Sequence, residues 1–496
     1  MTKQMTMKTK FYILLLLITM PLFVACSSDD DKNGDDSDIA TQFTPSEEST
    51  TYFITGIDFD ANSGEQTITF TTNKQWTASS TESWCLVTPY GSSSDGTMTI
   101  KVSENVSYKN REAVVTLKTG ELSNNITVRQ SGSGTAKIHL DSPGTLEQQL
   151  CGDDCSNPWV AMLNIKELTI SGELNGTDFK FLREHMLDLE GLDLSEARIV
   201  SGGDSYYFYE LYTETDKVTD WLLAGFMKAE SIKLPTSITS IGEGAFAGCG
   251  ELTSIDIPQG VTSIGEYAFQ ACTNLSSINI PETVTEIGRQ AFQSCSHLEK
   301  IQLPESVTKL SYGLFLYCSN LKDITYSSKL DSIEENVFSH CSSLEKITIQ
   351  KSVKYMENAW WSGCTNLKTI EYHSEKIWDA FNLDCHNVSN IIIGDEVQEI
   401  EKWAFNGYEA LRTLTIPANV KKLENGIIYD CNMETLYMKA ITPPETDGCL
   451  IYVPGDRLNS GVDAMDKCTL YVPKGAKTAY EAVGYPWTGF KEIVEY

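Results

Sequence analysis

The spacing of apolar positions changes character three times along this chain. Residues 11–25, FYILLLLITMPLFVA, are almost continuously apolar. Between about 48 and 132 short runs alternate polar and apolar residues between turn-forming ones: TYFITGIDF, QTITFTTNKQWTAS, SWCLVTP, TMTIKVSEN, EAVVTLKTG and NITVRQSG. Side chains on a strand alternate between faces, so this period of two predicts half-buried strands, and their regular spacing predicts a β-sandwich. From about residue 226 the period becomes much longer. Cys249, Cys272, Cys295, Cys318, Cys341 and Cys364 each lie 23 residues after the last (272−249, 295−272 and so on). Phe246, Phe269, Phe292, Phe315, Phe338 and then Trp361 keep the same step. Whole units recur: LTSIDIPQGVTSIGEYAFQACTN, LSSINIPETVTEIGRQAFQSCSH and LEKIQLPESVTKLSYGLFLYCSN share one pattern. A repeat of this length predicts a solenoid, one coil per unit.

A single coil cannot bury its own apolar face. Leu252, Ile255, Ile257, Val261, Ile264, Phe269 and Cys272 must therefore meet their equivalents in the neighbouring coils. The cysteines then read as buried ladder thiols, because the residues around each sulfur are serine, threonine, glycine and alanine rather than acids, bases or further metal ligands. Later units drift. Ser327 stands where a proline is expected, Trp361 replaces phenylalanine, and Cys385 follows Cys364 after only 21 residues (385−364). Periodicity returns in VSNIIIGDEVQEIEKWAF and LRTLTIPANVKKLENGIIYDC before a different ending, CTLYVPKGAKTAYEAVGYPWTGFKEIVEY.

The repeated unit, L-x-x-I-x-I-P-x-x-V-x-x-I-G-x-x-A-F-x-x-C, resembles the BspA-like (Treponema-type) subclass of leucine-rich repeats. The likeness covers about 226 to 433, with weaker coils in LNIKELTISGEL (163–174) and LDLEGLDLSEARIV (187–200). It implies a solenoid of roughly ten such coils, closed by a C-terminal cap. BspA-like relatives include adhesins for host matrix proteins, so the resemblance also implies a host or extracellular-matrix protein as partner. In the earlier region NKQWTAS, SWCLVTP, GSSSDGTMTIKVSEN, Arg111 and ITVRQSG resemble the BACON domain, an immunoglobulin-like sandwich whose name records a proposal that it binds carbohydrate. That resemblance implies a glycan, mucin-type included, as the other partner class.

Lys8 and Lys10 before the apolar run make residues 1–25 a signal peptide. The stop at Leu22-Phe23-Val24-Ala25-Cys26 resembles a lipobox, which implies lipidation of Cys26 and a membrane contact made only through that anchor. The following SSDDDKNGDDSD resembles the export signal of Bacteroidetes surface lipoproteins, implying the outer membrane and exposure at the cell surface; it is equally a solvated acidic tether. The expected order is signal peptide 1–25, tether 26–47, BACON-like sandwich 48–133, N-terminal cap and irregular coils 134–225, repeats 226–443 and C-terminal cap 444–496. The net charge of −30 argues against nucleic acid and against docking on anionic lipid.

Candidate binding residues follow from the alternation. Strand positions between the buried ones face outward on the concave surface, giving Asp256, Asn279, Glu299, Lys300, Gln302, Lys322, Asp323, Glu345, Lys346, Lys368, Glu371 and Tyr372. The same set also suits an ordinary solvated sheet face. In the sandwich Trp76, Trp84 and Tyr90 are glycan candidates by ring stacking; for both tryptophans a place in the core is the competing expectation. The run SYYFYELY, with Tyr206, Tyr207, Phe208, Tyr209 and Tyr212, fits an exposed aromatic site or a hairpin folded onto the solenoid. Cys151 can bridge Cys155, or the two can join Asp153 and Asp154 at a metal, and Cys449 can pair with Cys468. The six histidines form no paired metal-ligand spacing, and there is no G-x-S-x-G elbow or phosphate-cradling loop. No catalytic residue, metal or cofactor is implied. The expectation is a monomeric, non-enzymatic surface binding or adhesion protein, with glycan capture for a polysaccharide-uptake system as the alternative.

Overall fold

A computed structural model of the chain describes residues 40–93, 96–151, 165–207, 210–357, 361–379, 385–454 and 461–496. The signal peptide, Cys26 and most of the tether lie outside the described residues, as do Cys155, Asp153 and Asp154.

The alternating runs form two packed sheets. One orders Phe43–Pro45, Gly64–Thr72, Gly96–Val102 and Cys85–Thr88; the other orders Ile57–Phe59, Leu122–Gln130, Arg111–Thr119, Trp76–Ser80 and Gly91–Ser92. Ile68, Phe70, Met98, Ile100, Val115, Leu117, Ile126 and Val128 point between them and are buried. Period-two alternation thus puts every second residue into one core.

The rest of the described chain is a solenoid of about 13 turns. The stack is longer than the roughly ten regular units because less regular coils join the same sheet. Thr135–Leu140, Glu167–Leu174 and Gly191–Ile199 pair in parallel, and Gly191–Ile199 passes the ladder to Ser231–Lys233, Ser254–Asp256 and Ser277–Asn279. At the other end Thr413–Ile416, Thr435–Met438, Thr469–Val472 and Glu492–Glu495 continue in the same sense. A second line of two-residue strands, among them Ser240–Ile241, Ser263–Ile264 and Glu286–Ile287, runs along another edge of each coil.

Three ladders hold the coils together. The phenylalanine rings stack nearly parallel: Phe246 on Phe269 at 5.0 Å between centroids, Phe269 on Phe292 at 5.6 Å, Phe292 on Phe315 at 5.8 Å and Phe315 on Phe338 at 6.0 Å. Each regular cysteine donates its S–H to a carbonyl of the preceding coil. Cys272 bonds Phe246, Cys295 bonds Phe269, Cys318 bonds Phe292, Cys341 bonds Phe315 and Cys364 bonds Phe338, at 3.0–3.2 Å. The thiol is therefore a second donor to a carbonyl that already accepts the cysteine amide of its own coil, as well as a small apolar filler. The third ladder is backbone on backbone. A Cβ added to Gly265 would lie 2.5 Å from the carbonyl carbon of Gly242, so glycine here permits the close approach of coils rather than a turn.

The outer turn carries a feature that the spacing alone does not announce. Residues 4 apart in each coil adopt left-handed backbone, with φ of +55° and +57° at Tyr267 and Ala271, +53° and +61° at Gln290 and Ser294. Their amides reach forward to the next coil: Tyr267 to the Arg289 carbonyl, Ala271 to Gln293, Gln290 to Tyr312 and Ser294 to Leu316, at 2.8–2.9 Å. These bonds offset the roughly 1–2 kcal/mol that a left-handed L-residue costs.

Where the repeat shortens after Cys364, Trp361 takes the ring position and its indole N–H donates to Tyr408 Oη at 3.1 Å.

Candidate functional site

The alternation places the concave-face candidates outward, with one exception. Asp256, Asn279, Glu299, Lys300, Gln302, Lys322, Asp323, Glu345, Lys346 and Lys368 are exposed and Glu371 is half-buried. Tyr372 is fully buried, edge-on to Phe405. It follows Ile370 by two and so shares that residue's inward face, in the ladder that Ile257, Leu303 and Ile349 occupy in other coils.

From Glu299 onward the charged members of this face neutralise one another across coils. Lys300 meets Asp323 at 3.1 Å, Lys322 meets Glu299 at 3.4 Å, Lys346 meets Glu371 at 2.8 Å and Lys368 meets Glu345 at 3.3 Å. The hydrogen bond from Lys346 holds the Glu371 carboxyl below its usual range. Glu299, Lys322, Glu345 and Lys368 share one strand position, alternating in sign, with Lys300, Asp323 and Lys346 beside them in opposite phase. This sign alternation at the repeat interval was the readable signal for the pairing. The pairs exposed on both sides contribute at most about 1 kcal/mol each.

Two stretches of the face differ. Toward the start, Asp256, Asn279 and Gln302 occupy the same outward strand position in three consecutive coils, with Ser254 and Ser277 alongside, over a groove of about 420 Å³. Toward the end, Tyr437 and Tyr471 stack at 4.7 Å, and Tyr496 stands edge-on to Tyr437 at 5.6 Å. Both stacked tyrosines are half-buried. They were missed because the count along the strand must be carried past Cys431, where the unit no longer matches its template.

In the sandwich the three aromatic candidates separate. Trp76 is in the core, edge-on to Phe70 at 5.0 Å, so its ring does not reach the surface. Trp84 is half-buried, and the Arg111 guanidinium lies 4.3 Å from its ring centroid. Arg111 is in turn fixed to the Ser103 carbonyl at 2.7 Å and to Gln130 Oε1 at 2.8 Å. One face of the ring is thereby covered. Tyr90 alone of the three is strongly exposed, at 65%.

The tyrosine-rich run is spent on packing. Gly202–Tyr207 and Leu211–Thr213 form an antiparallel hairpin on the solenoid's flank. Tyr206 is buried with its hydroxyl 2.7 Å from Thr219 Oγ1 and donating to the Asp220 carbonyl at 2.8 Å. Tyr207 stacks on Trp221 and lies under Arg183, whereas Tyr212 is exposed; Phe208 and Tyr209 lie outside the described residues.

The proposed bridge between Cys449 and Cys468 is not formed. Each thiol is buried against different groups: Cys449 Sγ donates to the Ile451 carbonyl at 3.2 Å, and Cys468 packs against the backbone of Leu436. Cys151 is half-buried at the end of the helix Leu146–Cys151, and its suggested partner Cys155 is outside the described residues. Burial pushes the ladder thiols up, Cys249 and Cys318 to about 12 and Cys295 and Cys341 well above the ordinary range, so they are neutral and inert at physiological pH. Among the described residues no group of three His, Cys, Asp or Glu side chains could hold a metal ion.

The geometry and the repeat define a class, the leucine-rich-repeat solenoid carrying a β-sandwich at its N-terminal side. Family comparison gives the particular kind. Residues 217–345, 287–381 and 375–443 match the BspA type leucine rich repeat region, in six copies, and residues 74–131 match BACON, described as a proposed N-terminal binding domain. This chain therefore combines BspA-type leucine-rich repeats with a BACON domain, a combination that suggests a surface binding protein. Among solved structures, a leucine-rich repeat protein from Bacteroides ovatus is 19% identical with a TM-score of 0.42, covering 75% of this chain and 88% of that one. A leucine rich cell surface protein from Faecalibacterium prausnitzii is 20% identical with a TM-score of 0.33, covering 60% and 86%. No curated protein matches the chain.

Proposed function

We propose that this is a non-catalytic binding protein, anchored through lipidated Cys26 to the outer membrane and displayed at the cell surface, whose concave solenoid sheet recognises a host or extracellular-matrix protein. The observation that carries this reading is the contrast between the two sides of each strand. Inward positions repeat almost unchanged from coil to coil. The outward position instead runs through Lys233, Asp256, Asn279, Gln302, Thr325, Thr348 and Glu371, a surface free to vary because the fold does not depend on it. The sandwich serves as a spacer between anchor and solenoid; Tyr90 is its one exposed glycan candidate.

The test is an array of host matrix proteins probed with the mature monomeric protein and with Lys322→Glu/Lys368→Glu, which reverses two concave charges. Binding that falls in this variant and survives in Tyr90→Ala supports recognition by the concave face. Binding lost in Tyr90→Ala alone would transfer the role to the sandwich, and turnover of any bound partner would overturn the non-catalytic reading.

A further inference from the structure

We propose that the concave face between the strands Ser254–Asp256 and Lys300–Gln302 is a binding site for a neutral oligosaccharide. The proposal rests on the reading of the concave sheet as a recognition surface and assigns one part of it a ligand class of its own.

The polar groups there are uncommitted. Asp256, Asn279 and Gln302 stand in one line across three coils, and among the described residues their side chains make no hydrogen bond or ion pair. On either side the same face is tied up, by Lys233 with Asp193 at 2.8 Å before it and by the alternating acid–base pairs after it. Carboxylate and carboxamide groups at one position of successive coils, beside two serine hydroxyls, can pair with the hydroxyls of a sugar, each of which both donates and accepts.

Strand pairing is interrupted at this place, as it is again between Asp323–Thr325 and Lys346–Ile349. The concave sheet ends at Ser277–Asn279 and a separate sheet begins at Lys300–Gln302; the short-strand sheet likewise ends at Glu286–Ile287 and restarts at Lys309–Leu310. On the outer turn the same two coils remain bonded, Phe292 to the Leu314 carbonyl at 3.1 Å and Ser294 to Leu316 at 2.8 Å. Ile278, at the interruption, is only half-buried, whereas its equivalent Ile255 is buried. The groove beside this interruption has a volume of about 420 Å³, within the roughly 300–1,000 Å³ of small-ligand sites. Half-buried Ile278 in its lining offers apolar surface to the C–H face of a sugar ring.

Charge selects among ligands. The lining of the groove has the carboxylates Asp256 and Glu282 and no Lys, Arg or His, so sulfated or sialylated chains are disfavoured. It also lacks the Trp, Tyr or Arg anchors on which protein interfaces concentrate their energy.

The whole mature protein is run through native gels containing a β-glucan, a galactomannan or dextran at graded concentration, with chondroitin sulfate as the charged counterpart. At least one neutral polymer should retard it. The apparent affinity should fall at least about tenfold in Asp256→Ala and in Asn279→Ala, the loss expected when hydrogen bonds to a ligand are removed, and should hold in Tyr90→Ala and Lys346→Ala. Circular dichroism checks that these outward substitutions leave the fold intact. No retardation by any neutral polymer, retardation that survives both groove variants, loss in Tyr90→Ala, or retardation by chondroitin sulfate alone would each overturn the proposal. The matrix-protein array reads the broader function separately, so either reading can fail while the other stands.

Discussion

Replacing Gly265 by alanine should damage the solenoid far more than one methyl group suggests. The added Cβ would lie 2.5 Å from the Gly242 carbonyl carbon, 2.6 Å from Glu243 N and 2.7 Å from the Gly242 carbonyl oxygen, where 3.4 Å or more is ordinary contact. The obstacle is backbone, so no side chain can turn aside. If the coils part by the deficit of 0.9 Å (3.4−2.5), the Gly265 N–H bond to the Ile241 carbonyl lengthens from 2.8 to about 3.7 Å, beyond a hydrogen bond. The neighbouring bond from Thr262 N to the Thr239 carbonyl, now 2.9 Å, is strained with it. Two weakened bonds at about 0.5–1.5 kcal/mol each, with about 1–3 kcal/mol of overpacking, place the cost at about 2–6 kcal/mol. Urea unfolding of the protein, followed by circular dichroism and by hydrogen exchange at Gly265, measures it. Gly248→Ala is the control: φ there is +77° with open space around the added Cβ, so only the left-handed strain of about 1–2 kcal/mol is expected. A Gly265→Ala protein within about 0.5 kcal/mol of the parent, with unchanged exchange, would refute the idea that backbone contact sets the coil spacing.

Ala271→Gly relieves a residue at φ +57° and should stabilise the protein by up to about 1 kcal/mol after the entropy of glycine is subtracted; thermal melts would detect it, and a loss of stability would contradict the strain argument. The ladder thiols should resist a thiol reagent until the protein unfolds. Their acidity is suppressed in the fold, so the stability they supply is intact below the unfolded thiol value of 9.0 and declines as pH rises from there toward about 12; Cys318→Ala should flatten that decline in alkaline urea titrations. Tyr206→Phe removes a hydroxyl bonded to Thr219 and Asp220 and should cost about 1–3 kcal/mol, whereas Tyr212→Phe, exposed on the same hairpin, should cost almost nothing in the same melts.

How much the sequence disclosed depended on which forces repeat. Burial does, so the leucine, isoleucine, phenylalanine and cysteine positions of the solenoid were legible from the interval alone. Their inward side also dictated that Tyr372, two residues after Ile370, belongs to the core; its aromatic identity drew attention away from its parity. Hydrogen bonds that cross between coils left a weaker trace. The left-handed pair at Tyr267 and Ala271 is glycine in some units and not in others, because the forward amide bonds, rather than glycine's freedom, sustain the turn. Local composition was misleading for Cys449 and Cys468, whose thiols face different neighbours. The groove could not be read at all, since nothing in Asp256, Asn279 or Gln302 says that the sheet parts beside them.

The thiol ladder has a consequence for how such a protein changes length. Each regular cysteine bonds a carbonyl in the coil immediately before it, 26 residues back, and never further. Duplicating or deleting one complete unit therefore recreates every bond at the new junction, while inserting a single residue breaks several. The shortened unit after Cys364 needed a local adjustment to keep its bond: Cys385 finds the Trp361 carbonyl 24 residues back instead of 26, and Trp361 bonds Tyr408 at a distance of 47 residues. Growth of the molecule is thus quantised in whole coils, and the solenoid can lengthen or shorten in inheritance without the fold being solved again.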